Sequence, residues 1–249
     1  MTFEIHGKTA LVTGASSGLG AHFAKVLGRN GARVLLAARR MDRLDRLAAE
    51  LREDGVECST HYLDVTQPDG LSGLEPLADE IDILVNNAGV VRESAALSTT
   101  LEDWDAVTDT NLKGMFAVAQ LVGKGLVARG APGAIVNVAS ILGIRQAGYV
   151  TSYAVSKAGV IQLTKCLALE WARYGIRVNA LAPGYVRTEL NAEFWESDAG
   201  KAMINRIPQR RLAELADLDG PLMLLASPAS AYMTGAVVCV DGGHLVSGL

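Results

Sequence analysis

Short, almost uninterrupted apolar runs recur along the chain: TALVTG, ARVLLAA, IDILVNNAG, GAIVNVAS, GIRVNALAPG and GAVVCVDGG. Each has the length of a strand, and a run that is apolar at every position suits a strand covered on both faces. Between these runs lie longer stretches with apolar positions every three or four residues, among them LGAHFAKVLGRNG, MDRLDRLAAELREDG and SYAVSKAGVIQLTKCLALEWARYG. In the second, Leu44, Leu47 and Leu51 form one stripe while Asp, Arg and Glu fill the opposite face. Gly31, Gly55 and Gly175 follow such stretches, where a residue tolerating positive φ closes the last helical turn. ECSTHYLDV adds a further strand, for about seven in all. Strands alternating with helices of this length predict an α/β fold, a parallel sheet covered on both sides. The 249 residues are expected to form a single domain. The stretch near 189–215 has no strand pattern and reads as one or two short helices forming a flap over one end of the sheet.

Composition narrows the class. The chain is 49% hydrophobic and 20% charged, with a formal net charge of -4 and no concentrated basic stretch, which disfavours nucleic acid as a partner. No apolar run is long enough to span a bilayer. The start, MTFEIHGKTALVTG, lacks the zones of a secretory signal. Three cysteines and four histidines are scattered without metal-like or disulfide-like spacing. A reducing, cytoplasmic setting without a metal is expected.

TALVTGASSGLG leads from a strand into a helix starting near Gly18. Gly14 permits a tight turn, Gly18 a close backbone approach, and Gly20 the contact of helix with sheet. N–H groups at a helix start, here around Ser16, Ser17, Gly18 and Leu19, can receive a diphosphate. The bland alternative is a turn required by packing alone. After the second strand, an acidic residue would bind both ribose hydroxyls of NAD. Here Ala38 is followed by Arg39 and Arg40, whose guanidinium groups suit a 2′-phosphate. NADP(H) is therefore favoured over NAD(H), with Arg39 the better candidate and Arg40 either a helper or a solvated charge. Asp64 and Val65 stand where an adenine amino group can be met. Asn87, Ala88 and Gly89 form a tight turn along which a cofactor can pass, although Asn87 is equally suited to tying neighbouring strands.

TSYAVSK places Tyr153 and Lys157 one helical turn apart. A phenol titrates near pH 10, and a nearby ammonium favours the phenolate, so the pair is a candidate acid/base. Ser140, ending GAIVNVAS, is placed to hold a substrate oxygen. No G-x-S-x-G elbow surrounds it, which argues against a serine nucleophile. Asn111 is a candidate for holding a water beside Lys157.

The ordered set TGASSGLG, NNAG, Asn111, Ser140, Tyr153 and Lys157, followed by APG at 182–184, resembles the classical short-chain dehydrogenase/reductase family over residues 5–245. Its 3-oxoacyl-carrier-protein reductases and related ketoreductases are similar. The resemblance implies a Rossmann-like, doubly wound three-layer α/β/α sandwich with strand order 3-2-1-4-5-6-7. It implies a catalytic tetrad of Asn111, Ser140, Tyr153 and Lys157, with Tyr153 and Lys157 also touching the cofactor. Pro183, Gly184, Val186 and Thr188 would lie beside the nicotinamide. A hydride would pass from nicotinamide C4 to a carbonyl carbon while Tyr153 protonates the oxygen. Ser17 departs from family members that carry a base at that position, which leaves phosphate recognition to Arg39, Ser16 and Arg40.

Substrate selection is less defined. Ser140, Ile141, Gln146, Tyr149 and Tyr153 are expected on one side of the pocket, and Leu190, Phe194 and Trp195 on the other, either as an apolar lid or as flap packing. Arg145 would either recognise an acid or stand as a solvated charge. The expected activity is reversible ketone reduction with NADPH. NAD-dependent alcohol oxidation and a non-catalytic dinucleotide sensor are the alternatives. A small carbonyl or alcohol is the expected partner, in a homotetramer or homodimer.

Overall fold

A computed structural model describes residues 3–67, 69–188 and 192–247. Seven parallel strands form one sheet: β1 (Thr9–Thr13), β2 (Arg33–Ala38), β3 (Cys58–Tyr62), β4 (Ile83–Asn86), β5 (Gly133–Val138), β6 (Ile176–Pro183) and β7 (Val237–Val240). Their spatial order is β3-β2-β1-β4-β5-β6-β7, as the resemblance implied. Register is tight at the centre, where Leu11 of β1 pairs with Leu35 of β2 and Leu84 of β4.

Alternation along each strand divides the core between two helical layers. Ala10, Val12, Val34 and Leu36 pack on one face with Phe23 and Leu27 of α1 (Gly18–Arg29), and with Leu44, Leu47 and Leu51 of α2 (Met41–Glu53). Leu11, Leu35 and Leu84 pack on the other face, with the helices that follow β4 and β5. After β4 come α3 (Leu101–Thr108), a π-helical segment (Asp109–Gly114) and α4 (Met115–Ala128). The long α5 (Thr151–Trp171) follows β5. The leucine stripe read from α2 is the buried stripe, and Gly31, Gly55 and Gly175 all have positive φ.

The flap holds two short helices, α6 (Ala192–Glu196) and α7 (Asp198–Ile204), before α8 (Asp219–Ala226) rejoins the first core layer. Trp195, Ile207 and Leu212 give the flap a small core of its own. In open α/β sheets, ligands bind beyond the carboxyl ends of the strands, near the point where strand order reverses. Here that point lies between β1 and β4, and the residues following both strands carry the glycine-rich sequences.

Candidate active site

Gly14 leaves β1 with φ +67°, and a Cβ there would fall 2.9 Å from Asn87 Nδ2 and 3.0 Å from Ala88 Cα. Gly20 packs against Gly14 and Asn87 so closely that a Cβ would overlap both. These two glycines are packing requirements. Gly18 differs: its φ is +55°, and nothing stands within 4 Å of where a Cβ would be. The loop therefore leaves space beside the first N–H groups of α1, where a diphosphate fits. Leu19, by contrast, turns back onto the core.

Asn87 proves to be a tie between strands. Its Nδ2 donates to the Thr13 carbonyl at 3.0 Å, and its own N–H donates to Thr13 Oγ1 at 3.0 Å. Thr13 Oγ1 also accepts from the Ala88 N–H at 3.0 Å. Thr13 was missed in the sequence because a threonine inside an apolar run reads as strand filler. Asn86 likewise ties elements together, donating to the Met115 carbonyl at 2.7 Å.

Of the two arginines, the structure brings Arg40 to the loop and leaves Arg39 exposed without a contact there. The Arg40 guanidinium donates to Ser16 Oγ at 2.9 Å and to Ser17 Oγ at 2.8 Å. Side chains alternate at the end of a strand, so residue 40 follows Ala38 toward the α1 side while residue 39 points away. Asp64 lies two residues past β3 with Oδ1 accepting from the Thr66 N–H and hydroxyl, and Val65 packs against Gly114.

Ser140 follows β5, and its Oγ accepts from the Leu142 N–H at 3.1 Å, starting a 3-10 turn over Ile141–Gly143. A Cβ on Gly143 would fall 2.7 Å from the Lys157 carbonyl, so only glycine lets this turn lie against α5. That contact brings Ser140 beside Tyr153, close enough for its side chain to lower the phenol's pKa. Lys157 lies over the Tyr153 ring with Nζ 5.6 Å from its centroid, and Nζ donates to the Val138 carbonyl at 2.8 Å. Lys157 is 4% exposed, and burial pushes its pKa down to about 8.

Burial raises the Tyr153 pKa, the Ser140 hydrogen bond lowers it, and Tyr185 raises it again. The expected lowering by Lys157 is not what dominates: burial is the largest influence on this phenol. The protein alone keeps this phenol protonated at neutral pH.

Asn111 sits fully buried in the π-helical segment, a local widening common at functional sites. Its Oδ1 accepts from the Val90 N–H at 2.7 Å, and its Nδ2 donates to the Val90 carbonyl at 2.9 Å and to Ser156 Oγ at 3.1 Å. Ser156 Oγ in turn donates to the Tyr153 carbonyl at 2.7 Å. The amide thus clamps the NNAG turn to α5, and its hydrogens are already used; the second lone pair of Oδ1 is what it offers a water. A Cβ on Gly89 would lie 3.2 Å from Asn111 Oδ1 and 3.6 Å from Lys157 Nζ, so all three meet at one point.

Beyond β6, the Gly184 N–H donates to the Val240 carbonyl at 2.8 Å, with its Cα against Asp241. Pro183 and Val186 are buried, Val186 bridges to Ala213, and Thr188 is half-buried. On the substrate side the sequence reading is only partly met. Ile141 is 1% exposed, turned inward by the 3-10 turn, and so does not face the pocket mouth. Gln146 and Tyr149 are exposed, Tyr149 with φ +66°. Leu190 lies outside the described residues. Phe194 is exposed, whereas Trp195 is buried in the flap core. Tyr185 and His244, to which the sequence reading gave no role in the pocket, stand beside the site with Arg145. Tyr185 acts electrostatically on Tyr153, and it packs edge-on against Trp195 and His244 with centroids 5.3 Å and 5.5 Å away. Arg145 reaches the same place, donating to the His244 carbonyl.

Residues 14–244 match the family model described as enoyl-(acyl carrier protein) reductase. The chain belongs to the short-chain dehydrogenase/reductase family. Members of this family are NAD(P)-dependent oxidoreductases of carbonyl and alcohol groups, and so is this one. It is 39% identical to the galactitol 2-dehydrogenase (L-tagatose-forming) of Cereibacter sphaeroides, over 98% of this chain and 97% of that one. It is 37% identical to the 3-oxoacyl-(acyl-carrier-protein) reductase FabG of Thermotoga maritima, over 98% and 100% of the two chains. Among solved structures it resembles a gluconate 5-dehydrogenase from Burkholderia cenocepacia in complex with NADP and tartrate, at a TM-score of 0.92 and 35% identity, covering 99% and 98%. NADP is also bound in two other solved relatives, 41% and 38% identical.

Proposed function

We propose that this short-chain dehydrogenase/reductase is an NADPH-dependent, reversible oxidoreductase of ketones and secondary alcohols, with Tyr153 as the acid/base. One observation carries the reading: Ser140 and a buried Lys157 flank Tyr153, the Ser140 side chain lowering the phenol's pKa and Lys157 Nζ standing 5.6 Å from its ring centroid. The residues present fit a dinucleotide. Space beside Gly18 and the start of α1 suits the diphosphate, and Gly89 keeps the approach to Lys157 narrow but open. Arg40, with the Ser16 and Ser17 hydroxyls, supplies donors for a 2′-phosphate, and Arg39 adds positive charge at the rim. The NADP bound in three solved relatives supports the same choice. When bound, the nicotinamide supplies a hydride at C4, or accepts one in its oxidised, positively charged form.

Ser140 Oγ donates to the substrate oxygen and orients it. Tyr153 gives its proton to that oxygen as the carbonyl is reduced, a role suited to a phenol kept protonated by burial. Oxidation of an alcohol needs the phenolate, so the oxidative rate rises with pH while the reductive one falls as Tyr153 ionises. Lys157 holds the ribose and sets the charge beside the phenol, while Asn111 fixes the NNAG turn against α5. Asp64 and Val65 meet the adenine, and Pro183, Gly184, Val186 and Thr188 meet the nicotinamide.

The assembly proposed is a homotetramer, with a dimer as its simpler form. Leu101, Phe116, Val155 and Leu169 expose apolar area along the helices after β4 and β5, and Tyr232 and Val246 do so near β7. No helix among the described residues is long and apolar enough to cross a membrane, which accords with the proposed cytoplasmic site of action.

The test is Tyr153→Phe. It deletes the transferable proton and keeps the ring, so turnover should fall about 100-fold or more with the Kd for NADPH within about twofold. Retained turnover would remove the acid/base assignment. Stronger binding of NADH than NADPH would remove the cofactor assignment.

A further inference from the structure

Behind the reacting groups lies a second polar cluster that the chemistry above does not use. Trp195 is 4% exposed and His244 is 6% exposed, and both rings pack against Tyr185, the residue next to Tyr153. Trp195 Nε1 and His244 Nδ1 are buried without a hydrogen-bond partner among the described residues. Such orphans are uncommon, because a buried polar group without a partner has given up its hydrogen bond to water and gained none in return. Arg145 enters from the turn after Ser140 and donates from Nη1 to the His244 carbonyl. Its charge is felt at both Tyr185 and His244. Arg206, on the flap side, adds positive charge at His244. The carboxylate facing His244, that of Asp241, is occupied by the N–H groups of Gly243 at 2.9 Å and Leu245 at 2.7 Å.

Two buried unpartnered donors and a guanidinium with no ion-pair partner among the described residues therefore gather around Tyr185, beside the proposed acid/base, and a neutral polyol would leave that guanidinium without a counter-charge. We infer that the substrate is a hydroxy or oxo carboxylate, whose carboxylate is received by Arg145 together with Trp195 Nε1 and His244 Nδ1. This rests on the proposed ketone/alcohol chemistry and narrows its substrate class. The carboxylate is unchanged by the reaction. The alcohol carbon loses a hydride to the nicotinamide dinucleotide, and its hydroxyl loses a proton to Tyr153, leaving a ketone. His244 serves in its neutral form, since burial and the two arginines lower its pKa; a neutral imidazole can carry its hydrogen on Nδ1.

Matched acid and alditol pairs test the assignment: D-gluconate against D-glucitol, D-galactonate against galactitol, and L-tartrate against L-threitol. Each is titrated into the complex of enzyme with NADPH, following the bound nucleotide's fluorescence, and each is assayed for oxidation with NADP. At least one acid should bind about tenfold or more tightly than its alditol, the value of a charge-assisted hydrogen bond. Arg145→Gln should erase that advantage, Arg145→Lys should keep most of it, and His244→Phe should weaken it. NADPH affinity should stay within about twofold in all three, which separates loss of the carboxylate contact from loss of structure. Alditols binding as tightly as the acids, an acid preference that survives Arg145→Gln, or no binding by any acid would each overturn the inference. Those results leave the ketone/alcohol reading intact where neutral substrates turn over. That reading fails separately, through Tyr153→Phe or absent NADPH binding.

Discussion

Lys157→Met offers a quantitative check on the site, because the ammonium it removes is held against its own preference. Lys157 is 4% exposed and its pKa falls from 10.5 to about 8 on burial. Below pH 8 both folded and unfolded chains carry the proton, and folding bears the full cost of burying the charge. Between pH 8 and 10.5 the unfolded chain holds more protons than the folded one, so stability rises with pH. Above 10.5 both are neutral and the penalty is gone. A downward shift of this size corresponds to about 3 kcal/mol at pH 7. Methionine removes that penalty but leaves the Val138 carbonyl without the donor now 2.8 Å away, a loss of about 1–3 kcal/mol. At pH 7 the variant should therefore match the parent or exceed it by up to about 2 kcal/mol. The parent should regain about 2–3 kcal/mol relative to the variant between pH 7 and pH 10. Urea unfolding of the nucleotide-free protein, followed by tryptophan fluorescence at one protein concentration, measures both. The raised Tyr153 pKa removes stability only above pH 10, and does so in both proteins. A difference that stays flat with pH would refute a depressed Lys157 pKa, and so the burial argument itself.

Gly143→Ala should lower stability by about 1–3 kcal/mol, read as a fall in the urea midpoint, because the new methyl meets the Lys157 carbonyl at 2.7 Å. Its kcat should fall as well, since the Ser140 turn must move away from α5. Arg40→Ala should raise the Kd for NADPH about tenfold or more while changing that for NADH less than about twofold, by nucleotide fluorescence titration. Arg39→Ala should have the smaller effect; the reverse ranking would refute the placement of Arg40 over Ser16 and Ser17.

Much of the fold was legible because each strand is covered on both faces, so that apolar runs such as TALVT and ARVLLAA mark themselves. Seven strands and their order followed from those runs and from the resemblance. Tyr153, Lys157 and Ser140 were legible because spacing along one helix and the end of one strand suffice to place them. What stayed hidden depends on contacts between distant segments. Thr13 is one strand residue among five until β4 brings Asn87 and Ala88 to its hydroxyl. The bonds of Asn111 to Val90 and Ser156 stayed hidden, since a π-helical widening leaves no periodicity signal. The approach of Arg40 to Ser16 and Ser17 depends on which side of β2 a side chain leaves, and Tyr185 and His244 pack on each other across about 60 residues of intervening chain.

The acid/base pair is held by neighbours with no room to yield. Lys157 is fixed from three directions: the Val138 carbonyl from β5, Gly143 from the turn after Ser140, and Gly89 beside Asn111 from the turn after β4. The Gly143 contact exists only because glycine lacks a Cβ, so a residue that looks least chemical helps set the position of the helix that carries Lys157. This arrangement keeps the ammonium 5.6 Å from the centroid of the Tyr153 ring. Burial favours the protonated hydroxyl, which suits the proposed donation of a proton to a carbonyl. Working in the oxidative direction must then come from the charge of the oxidised nucleotide or from higher pH. The two directions should accordingly part in their pH profiles, the reductive rate falling and the oxidative rate rising as Tyr153 ionises.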